Sequence, residues 1–381
     1  SGWNSRQSSA GEQPINASAA PARSKGANRG IVGLSRAARG HNGRMTDTAS
    51  SSLPLAGVRV LDLSRVLAGP WCTQTLADLG ADVIKVERPL RNGVGGDDTR
   101  GWGPPFLHDR EGRDTAEAAY YLGTNRNKRS VTVDIARPEG QALIRRLAAR
   151  SDVFVENFKV GDMARYGLDS ASLLALNPRL VYCSITGFGQ TGPYRNRAGY
   201  DFVIQAMGGL MSITGPSDDE PGGGAQKCGV PISDLMTGMY ASVAIVSALF
   251  ERASSGKGQY IDMSLLDTQV AWLANQASNY LVSGKAPQRW GNAHPNLAPY
   301  QSFASSDGEL IVAVGNDRQY GALCRTLGVE HLATDERYAT NAQRLNNRAS
   351  LIATLAEVFI RRTKGEWMTE LESAGVPCGP I

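Results

Sequence analysis

The sequence predicts an α/β fold, in which a doubly wound, mostly parallel sheet is followed by a smaller α+β domain. Two observations lead to this prediction. Short apolar strands alternate with helices over residues 58–185, and this alternation is typical of parallel sheets covered by helices. From Trp290 the chain resumes with a loop, a strand and several helices. We therefore expect a large domain at 53–289 and a small domain at 290–381.

The first strand–helix–strand unit occupies residues 58–86. Residues 58–63 read as an apolar strand, and Ala68-Gly69-Pro70 begins a helix because proline is favoured in the first helical turn. Gly80 ends this helix, and residues 82–86 are the second strand. The same pattern predicts strands at 130–134, 153–156 and 180–185, and helices at 138–150 and 170–176.

Beyond residue 187 the predicted structure is mainly helical. Helices are expected at 202–211 and after Asp234, with two more helices and a strand between residues 261 and 282. The apolar run 235–250 is shorter than the ~20 residues that a bilayer requires, so we expect a buried helix there. One further strand is predicted at 310–314 in the small domain.

Residues 1–52 form a leader that is predicted to be disordered, because it is rich in Ser, Ala, Gly and Arg without apolar periodicity. Its basic side chains account for the net charge of +4, which becomes slightly negative from Met45 onward. Nothing in this balance indicates a nucleic-acid partner. Two interpretations stay open: upstream sequence before a start at Met45 in a cytoplasmic protein, or a mitochondrial transit peptide that directs the protein to the matrix.

The sequence indicates neither a metal site nor a permanently bound cofactor. The five cysteines are scattered without C-x-x-C spacing and only four histidines are present, so we expect no zinc site, no disulfide framework and a reducing compartment. The turn after the first strand reads SRVLAGP, which lacks the G-x-G-x-x-G spacing that holds a dinucleotide pyrophosphate. A nicotinamide or flavin is therefore not expected.

Asp234 is the main candidate for a catalytic residue. It lies in GVPISDLMTGMY, where a proline-containing loop meets a long apolar helix. The partial positive charge of a helix N-terminus stabilises a carboxylate by ~0.3–1 kcal/mol, so we expect Asp234 to stay ionised and to be usable as a nucleophile. An equally simple interpretation is that Ser233 or Asp234 only caps the helix.

The stretch LAGVRVLDLSRVLAGPWCTQTLADLGADVIKVERP at 55–89 resembles the opening of the class III CoA-transferases, a family that also contains the α-methylacyl-CoA racemases. The resemblance extends over 55–381. It implies a Rossmann-like large domain, a small domain and an interlocked homodimer. It also implies that a C-terminal return to the large domain is missing after residue 381. The segments ITGFGQTGPYRNRAGYD and QRWGNAHPNLAPYQ are most similar to the branch that moves CoA from succinyl-CoA to glutarate or hydroxymethylglutarate.

The resemblance also assigns roles to individual residues. Asp234, followed by Gly238, matches the aspartate that attacks the acyl-CoA thioester and then carries CoA as an aspartyl thioester, so CoA is a substrate rather than a resident cofactor. The CoA phosphates need cationic and N–H donors, although any one arginine could equally be a solvated surface charge. The positions that match the family's CoA contacts are Arg88, Val133, Asp134, Ile135, Ala136, Asn157, Phe158, Arg165 and Tyr200.

Tyr200 distinguishes transfer from racemisation. In the racemase branch this position is a histidine, which can remove and return an α-proton near neutral pH, whereas a phenol ionises only at about pH 10. The sequence therefore favours a transferase, with a racemase-type isomerase or a CoA-binding protein without turnover as alternatives. Asp201 is expected to orient other groups, and His294 to be an incidental loop residue.

A dicarboxylate acceptor would need a cation to pair with its far carboxylate. Four basic residues are candidates for this anchor: Arg195, Arg197, Lys227 and Arg289. The partners that we expect are therefore small molecules, an acyl-CoA and a carboxylic acid, together with a second copy of the chain.

Overall fold

The computed structural model describes residues 53–91, 93 and 95–381. The predicted disorder of the leader lies outside the described residues, and so does the choice between cytoplasm and mitochondrion. The described strands are β1 (Arg59–Asp62), β2 (Asp82–Glu87), β3 (Phe106–His108), β4 (Asp114–Ala118), β5 (Lys128–Thr132), β6 (Val153–Glu156), β7 (Val181–Thr186), β8 (Tyr260–Ser264), β9 (Tyr300–Ser305), β10 (Gly308–Ala313) and β11 (Cys378–Pro380).

Helices connect these strands and cover the sheets. They are α1 (Ala68–Asp78), α2 (Ala119–Leu122), α3 (Pro138–Ala148), α4 (Asp162–Arg165), α5 (Ser170–Leu176), α6 (Asp201–Met207), α7 (Leu210–Ile213), α8 (Ile232–Ser255), α9 (Leu265–Ala271), α10 (Ala274–Ser283), α11 (Asp317–Thr326), α12 (His331–Thr334), α13 (Asn341–Asn346), α14 (Arg348–Phe359) and α15 (Lys364–Ser373). A short 3₁₀ turn lies at Asp98–Gly101.

Six parallel strands form the main sheet, in the order β5-β2-β1-β6-β7-β8. From β1 the chain winds outward through β2 to β5, then returns beside β1 and winds in the opposite direction through β6, β7 and β8. The predicted doubly wound sheet is confirmed. The direction reverses between β1 and β6, and loops that diverge at such a point leave a crevice at the carboxyl ends of the strands.

The central strands β1, β2, β6 and β7 are buried on both faces, as is usual for parallel sheets covered by helices, whereas the outer strand β5 is mostly exposed. Successive side chains of a strand point to opposite faces. Val153 and Val155 of β6 therefore pack under α1 and α8, whereas Phe154 packs with α3 and α5 on the other face. This two-sided burial explains why the strands read as apolar runs in the sequence.

The β3–β4 hairpin at 106–118, between β2 and β5 along the chain, was not predicted from the sequence. Its strands have three and five residues, and most of their side chains are exposed or half-buried. A short hairpin of this kind carries little apolar alternation, so periodicity does not detect it.

Helix α8 packs against α1 along one face, through small side chains and Gly238. A Cβ on Gly238 would lie 2.7 Å from the Ala68 carbonyl oxygen and 3.1 Å from the Trp71 side chain, so the two helices touch at this glycine. Among the described residues, α8 is the one helix long and apolar enough to cross a membrane. The expectation of a buried helix is correct for this face only, because the opposite face is exposed.

The last third of the described chain has its own sheet, in the antiparallel order β11-β10-β9. Helices α11, α14 and α15 cover it and share a separate apolar core that includes Phe303, Leu310, Leu355 and Phe359. The predicted strand 310–314 is observed as β10. The domain boundary at 290 stays a prediction.

Candidate active site

A cavity of about 530 Å³ lies at the point where the winding of the main sheet reverses. Its wall is formed by residues 65–68 after β1, 157–160 after β6, 185–187 at the end of β7 and 195–200 before α6. Asp234, in the first turn of α8, also lines this cavity. The catalytic candidate therefore lies at the sheet edge where doubly wound folds bind ligands.

Asp201 caps the N-terminus of α8 from a distant part of the sequence. Its Oδ1 accepts hydrogen bonds from the backbone N–H groups of Ser233, at 2.7 Å, and of Asp234, at 3.2 Å. The Gln205 side chain donates to the other oxygen, Oδ2, at 2.6 Å. These contacts support the orienting role that we expected for Asp201.

The ionisation of Asp234 differs from our expectation. Burial raises the pKa of Asp234 to about 7, and the negative charge of Asp201 contributes in the same direction. The sequence predicted that the helix N-terminus stabilises the Asp234 carboxylate, but the backbone N–H groups of Ser233 and Asp234 donate to Asp201 instead. A sizeable fraction of Asp234 is therefore protonated near neutral pH.

The predicted CoA-binding residues fall into two groups. Asn157, Phe158 and Tyr200 line the cavity that contains Asp234. The others do not line it: Arg88 follows β2 directly, residues 133–136 follow β5, and Arg165 lies at the end of α4. Because the sheet is parallel, the loops after β6, β1, β2 and β5 lie side by side along one edge, so most of these positions form a row.

Several predicted contact side chains already have protein partners. Arg88 pairs with Asp98, which also pairs with Arg65 at 3.2 Å. Arg165 pairs with Asp162 at 3.2 Å. The Asn157 side chain makes two hydrogen bonds to the backbone of Arg65. Its Oδ1 accepts from the Arg65 N–H at 2.9 Å, and its Nδ2 donates to the Arg65 carbonyl oxygen at 2.6 Å. Arg65 and Asp98 line the cavity but were not predicted from the sequence, because only the fold brings them beside Arg88.

The structure separates the four candidate anchors for a carboxylate. Arg195 and Arg197 line the cavity with Asp234, and the Arg197 guanidinium lies 4.6 Å from the centre of the Tyr194 ring. Arg289 lines a different cavity of about 990 Å³ and pairs with Asp218. Lys227 donates to the carbonyl of the next residue and lines neither of these two cavities.

His294 is not part of the cavity that contains Asp234. Its Nδ1 accepts a hydrogen bond from the Asn296 N–H at 3.0 Å, and its ring packs near Tyr300. Burial lowers the pKa of His294, and the positive charge of the nearby Arg348 lowers it further. The expectation that His294 is an incidental loop residue stays a prediction.

Comparison with known proteins agrees with this geometry. The model of CoA-transferase family III matches residues 55–381. A succinate–glutarate CoA-transferase of Agrobacterium fabrum is 53% identical over 88% of this chain and 82% of its own length. The succinyl-CoA:glutarate CoA-transferase of Homo sapiens is 46% identical over 89% of this chain and 74% of its own length.

A solved structure supports the same relationship. A CAIB/BAIF family protein from Brucella suis is 55% identical and superposes with a TM-score of 0.74, over 87% of this chain and 84% of its own. The family match, the identities to curated relatives and the likeness to the solved structure each extend over most of the chain. This chain belongs to the class III CoA-transferase family.

Proposed function

We propose that this protein moves CoA from succinyl-CoA to a free dicarboxylate such as glutarate, with Asp234 as the covalent nucleophile. The observation that carries the proposal is the position of Asp234, which lines the cavity at the reversal point of the sheet, on a helix end fixed by Asp201. Curated relatives named for succinyl-CoA and glutarate support the choice of donor and acceptor.

The reaction proceeds through two exchanges at one carboxyl group. The ionised Asp234 attacks the thioester carbonyl of succinyl-CoA, CoA thiolate leaves, and a mixed anhydride forms. The thiolate then attacks the Asp234 carbonyl, which releases succinate and leaves CoA on the aspartate as a thioester. The acceptor carboxylate attacks this thioester to give a second anhydride, and the thiolate takes the acyl group to give glutaryl-CoA and free Asp234.

This mechanism predicts a rate that rises with pH through about 7, because only the ionised Asp234 is a nucleophile and its pKa is raised to about 7. Asp201→Asn keeps an oxygen that can cap α8 but removes the negative charge. The pKa of Asp234 should then fall, and the acidic limb of the kcat/KM profile should move to lower pH. Rates measured from about pH 5 to 9 test this. If the acidic limb of the Asp201→Asn profile stays at the wild-type pH, the group that titrates there is not Asp234.

The row of positions along the sheet edge supports an extended, phosphate-bearing ligand. We expect Arg88→Ala to weaken CoA binding by ~1.5–3 kcal/mol, through loss of a charge-assisted contact that a phosphate would make in place of Asp98. We expect the same for Arg165→Ala, measured by calorimetry. Arg337→Ala is the matched control, since Arg337 pairs with Asp335 directly after α12 and lines neither cavity. Unchanged affinity in both test variants would move the phosphate site elsewhere.

Arg195 and Arg197 support a dicarboxylate acceptor, because they add positive charge to the cavity that contains Asp234. We expect Arg195→Ala or Arg197→Ala to raise the KM for glutarate at least ~10-fold and to reduce the preference for glutarate over butyrate. Lys227→Ala is the control, with little change expected. A wild-type enzyme that prefers monocarboxylates to every dicarboxylate tested would contradict this acceptor class.

An exposed apolar face supports the homodimer that the resemblance implied. It comprises one side of α8 and parts of α6 and α10: Phe202, Val203, Met207, Met239, Tyr240, Val243, Val246, Phe250, Tyr280, Leu281 and Val282. Exposed large apolar side chains in this number on neighbouring stretches of chain are typical of interfaces. Light scattering during gel filtration tests the proposal, and a monomer at micromolar concentration would contradict it.

A further inference from the structure

The backbone of residues 64–67, which connects β1 to α1, is held in an uncommon conformation. Val66 has a φ of +72°, in the left-handed region that β-branched residues rarely adopt. Val66 and Leu67 line the cavity that contains Asp234. A backbone outlier of this kind persists only where the surrounding structure fixes it.

Three side chains fix this loop: Asp62 at the end of β1, Asn157 directly after β6, and Asp97 directly before the 3₁₀ turn. Successive backbone N–H groups donate to them: Ser64 to Asp62 at 2.9 Å, Arg65 to Asn157 at 2.9 Å, and Val66 to Asp97 at 3.2 Å. The loop is therefore bonded residue by residue to side-chain oxygens. Two of the three acceptors are carboxylates with no solvent exposure.

Buried lysines neutralise these two carboxylates. Lys85 lies 2.9 Å from Asp97, and its Nζ also donates to the Ser64 carbonyl oxygen at 2.9 Å. Lys128 lies 3.1 Å from Asp62. A buried ion pair often contributes no more stability than apolar side chains of the same volume would. The distinctive effect of the Lys85–Asp97 pair is geometric, because both partners hold the same loop.

We propose that Asp97 is a positioning residue, which together with Lys85 holds Val66 in its left-handed conformation and so fixes the wall of the cavity in which Asp234 reacts. Asp97 does not line the cavity itself and acts through the Val66 N–H. This inference rests on the proposed role of Asp234. It goes further by assigning the geometry of the site to a residue that does not line the cavity.

Paired variants compare residue 97 with and without a side-chain oxygen, which accepts hydrogen bonds from the Val66 N–H and also from Thr99 at the start of the 3₁₀ turn. Lys85→Met with Asp97→Asn removes both charges but keeps an acceptor for the Val66 N–H, whereas Lys85→Met with Asp97→Ala removes the acceptor too. We expect the first pair to keep kcat within roughly threefold and the second to lose about 100-fold, as small misplacements in active sites do. CoA affinity should change little in both. Equal kcat values for the two pairs would overturn the proposal.

Rescue distinguishes positioning from a general structural role. Glycine adopts positive φ without strain, so adding Val66→Gly to the Ala pair should recover at least ~10-fold of the lost kcat. Asp152→Asn is the control, because its partner Arg252, at 2.9 Å, lies at the opposite edge of the sheet. It should lower stability and leave kcat unchanged. Failure of glycine to restore any turnover would contradict the proposed route through Val66.

Two further measurements apply if the paired variants do not fold or the wild type does not transfer CoA. Val66→Pro cannot adopt positive φ and should lose about 100-fold in kcat, whereas Val66→Gly should not. Hydrogen exchange of residues 64–67 reports the loop without any turnover, and it should be slow in the wild type and faster in the Asp97 variants. Loop exchange that is fast in the wild type would overturn the positioning role, whereas absent transfer with slow exchange would overturn only the proposed function.

Discussion

Asp234→Ala and Asp234→Asn should lower CoA transfer by at least ~10³-fold while CoA still binds. The covalent route needs a carboxylate at this position, and neither replacement can form the anhydride or the aspartyl thioester. CoA binding should persist because the predicted phosphate contacts lie along the sheet edge and outside the Asp234 cavity. Steady-state kinetics and calorimetry measure the two effects separately.

Asp267→Asn is the matched control for this prediction. Asp267 also lies in the first turn of a helix, α9, but its side chain is exposed. It should retain wild-type transfer. An Asp234→Ala enzyme that transfers CoA within tenfold of the wild-type rate would mean that another group carries the reaction.

Gly238→Val should reduce both stability and activity. The added side chain would meet the Ala68 carbonyl oxygen and Trp71 where α8 touches α1, so the helices must separate. We expect a loss of about 1–3 kcal/mol in the free energy of unfolding. Gly238 lies one turn after Asp234, so the shift should also displace the nucleophile and lower kcat. Denaturant unfolding and kinetics measure these effects.

Gly365→Ala is the control for Gly238→Val. A Cβ at Gly365 in α15 would meet no atom within 4 Å, and alanine is the better helix former. This variant should be as stable as the wild type or slightly more stable, with unchanged kcat. Similar losses in both variants would show that the contact between α8 and α1 is not the cause.

The sequence predicted most of the main sheet because its central strands are apolar on both faces and bounded by clear turn residues. Predicted strand bounds agree with the observed ones to within two residues. Residues 98–122 were not assigned, since their hairpin and short helix bury little apolar surface. The exposed face of α8 was also missed, because an apolar run does not reveal which of its sides the chain covers.

The candidate site was predicted less completely, for a different reason. Asp234 and the cavity residues Asn157, Phe158 and Tyr200 were identified by motif resemblance, and they do line one cavity. The cap from Asp201 to α8, by contrast, links positions 33 residues apart. Contacts of this kind depend on topology and leave no local pattern. The ionisation of Asp234 was misjudged for the same reason, since it depends on burial and on Asp201.

Chemical trapping during turnover tests the central claim most directly. With succinyl-CoA and glutarate present, hydroxylamine should capture the activated carboxyl of the anhydride or the aspartyl thioester. Peptide mass spectrometry should then find the modification on Asp234, in amounts that depend on succinyl-CoA. An unmodified Asp234 in an enzyme that is transferring CoA, or a modification on a different carboxylate, would contradict the covalent mechanism.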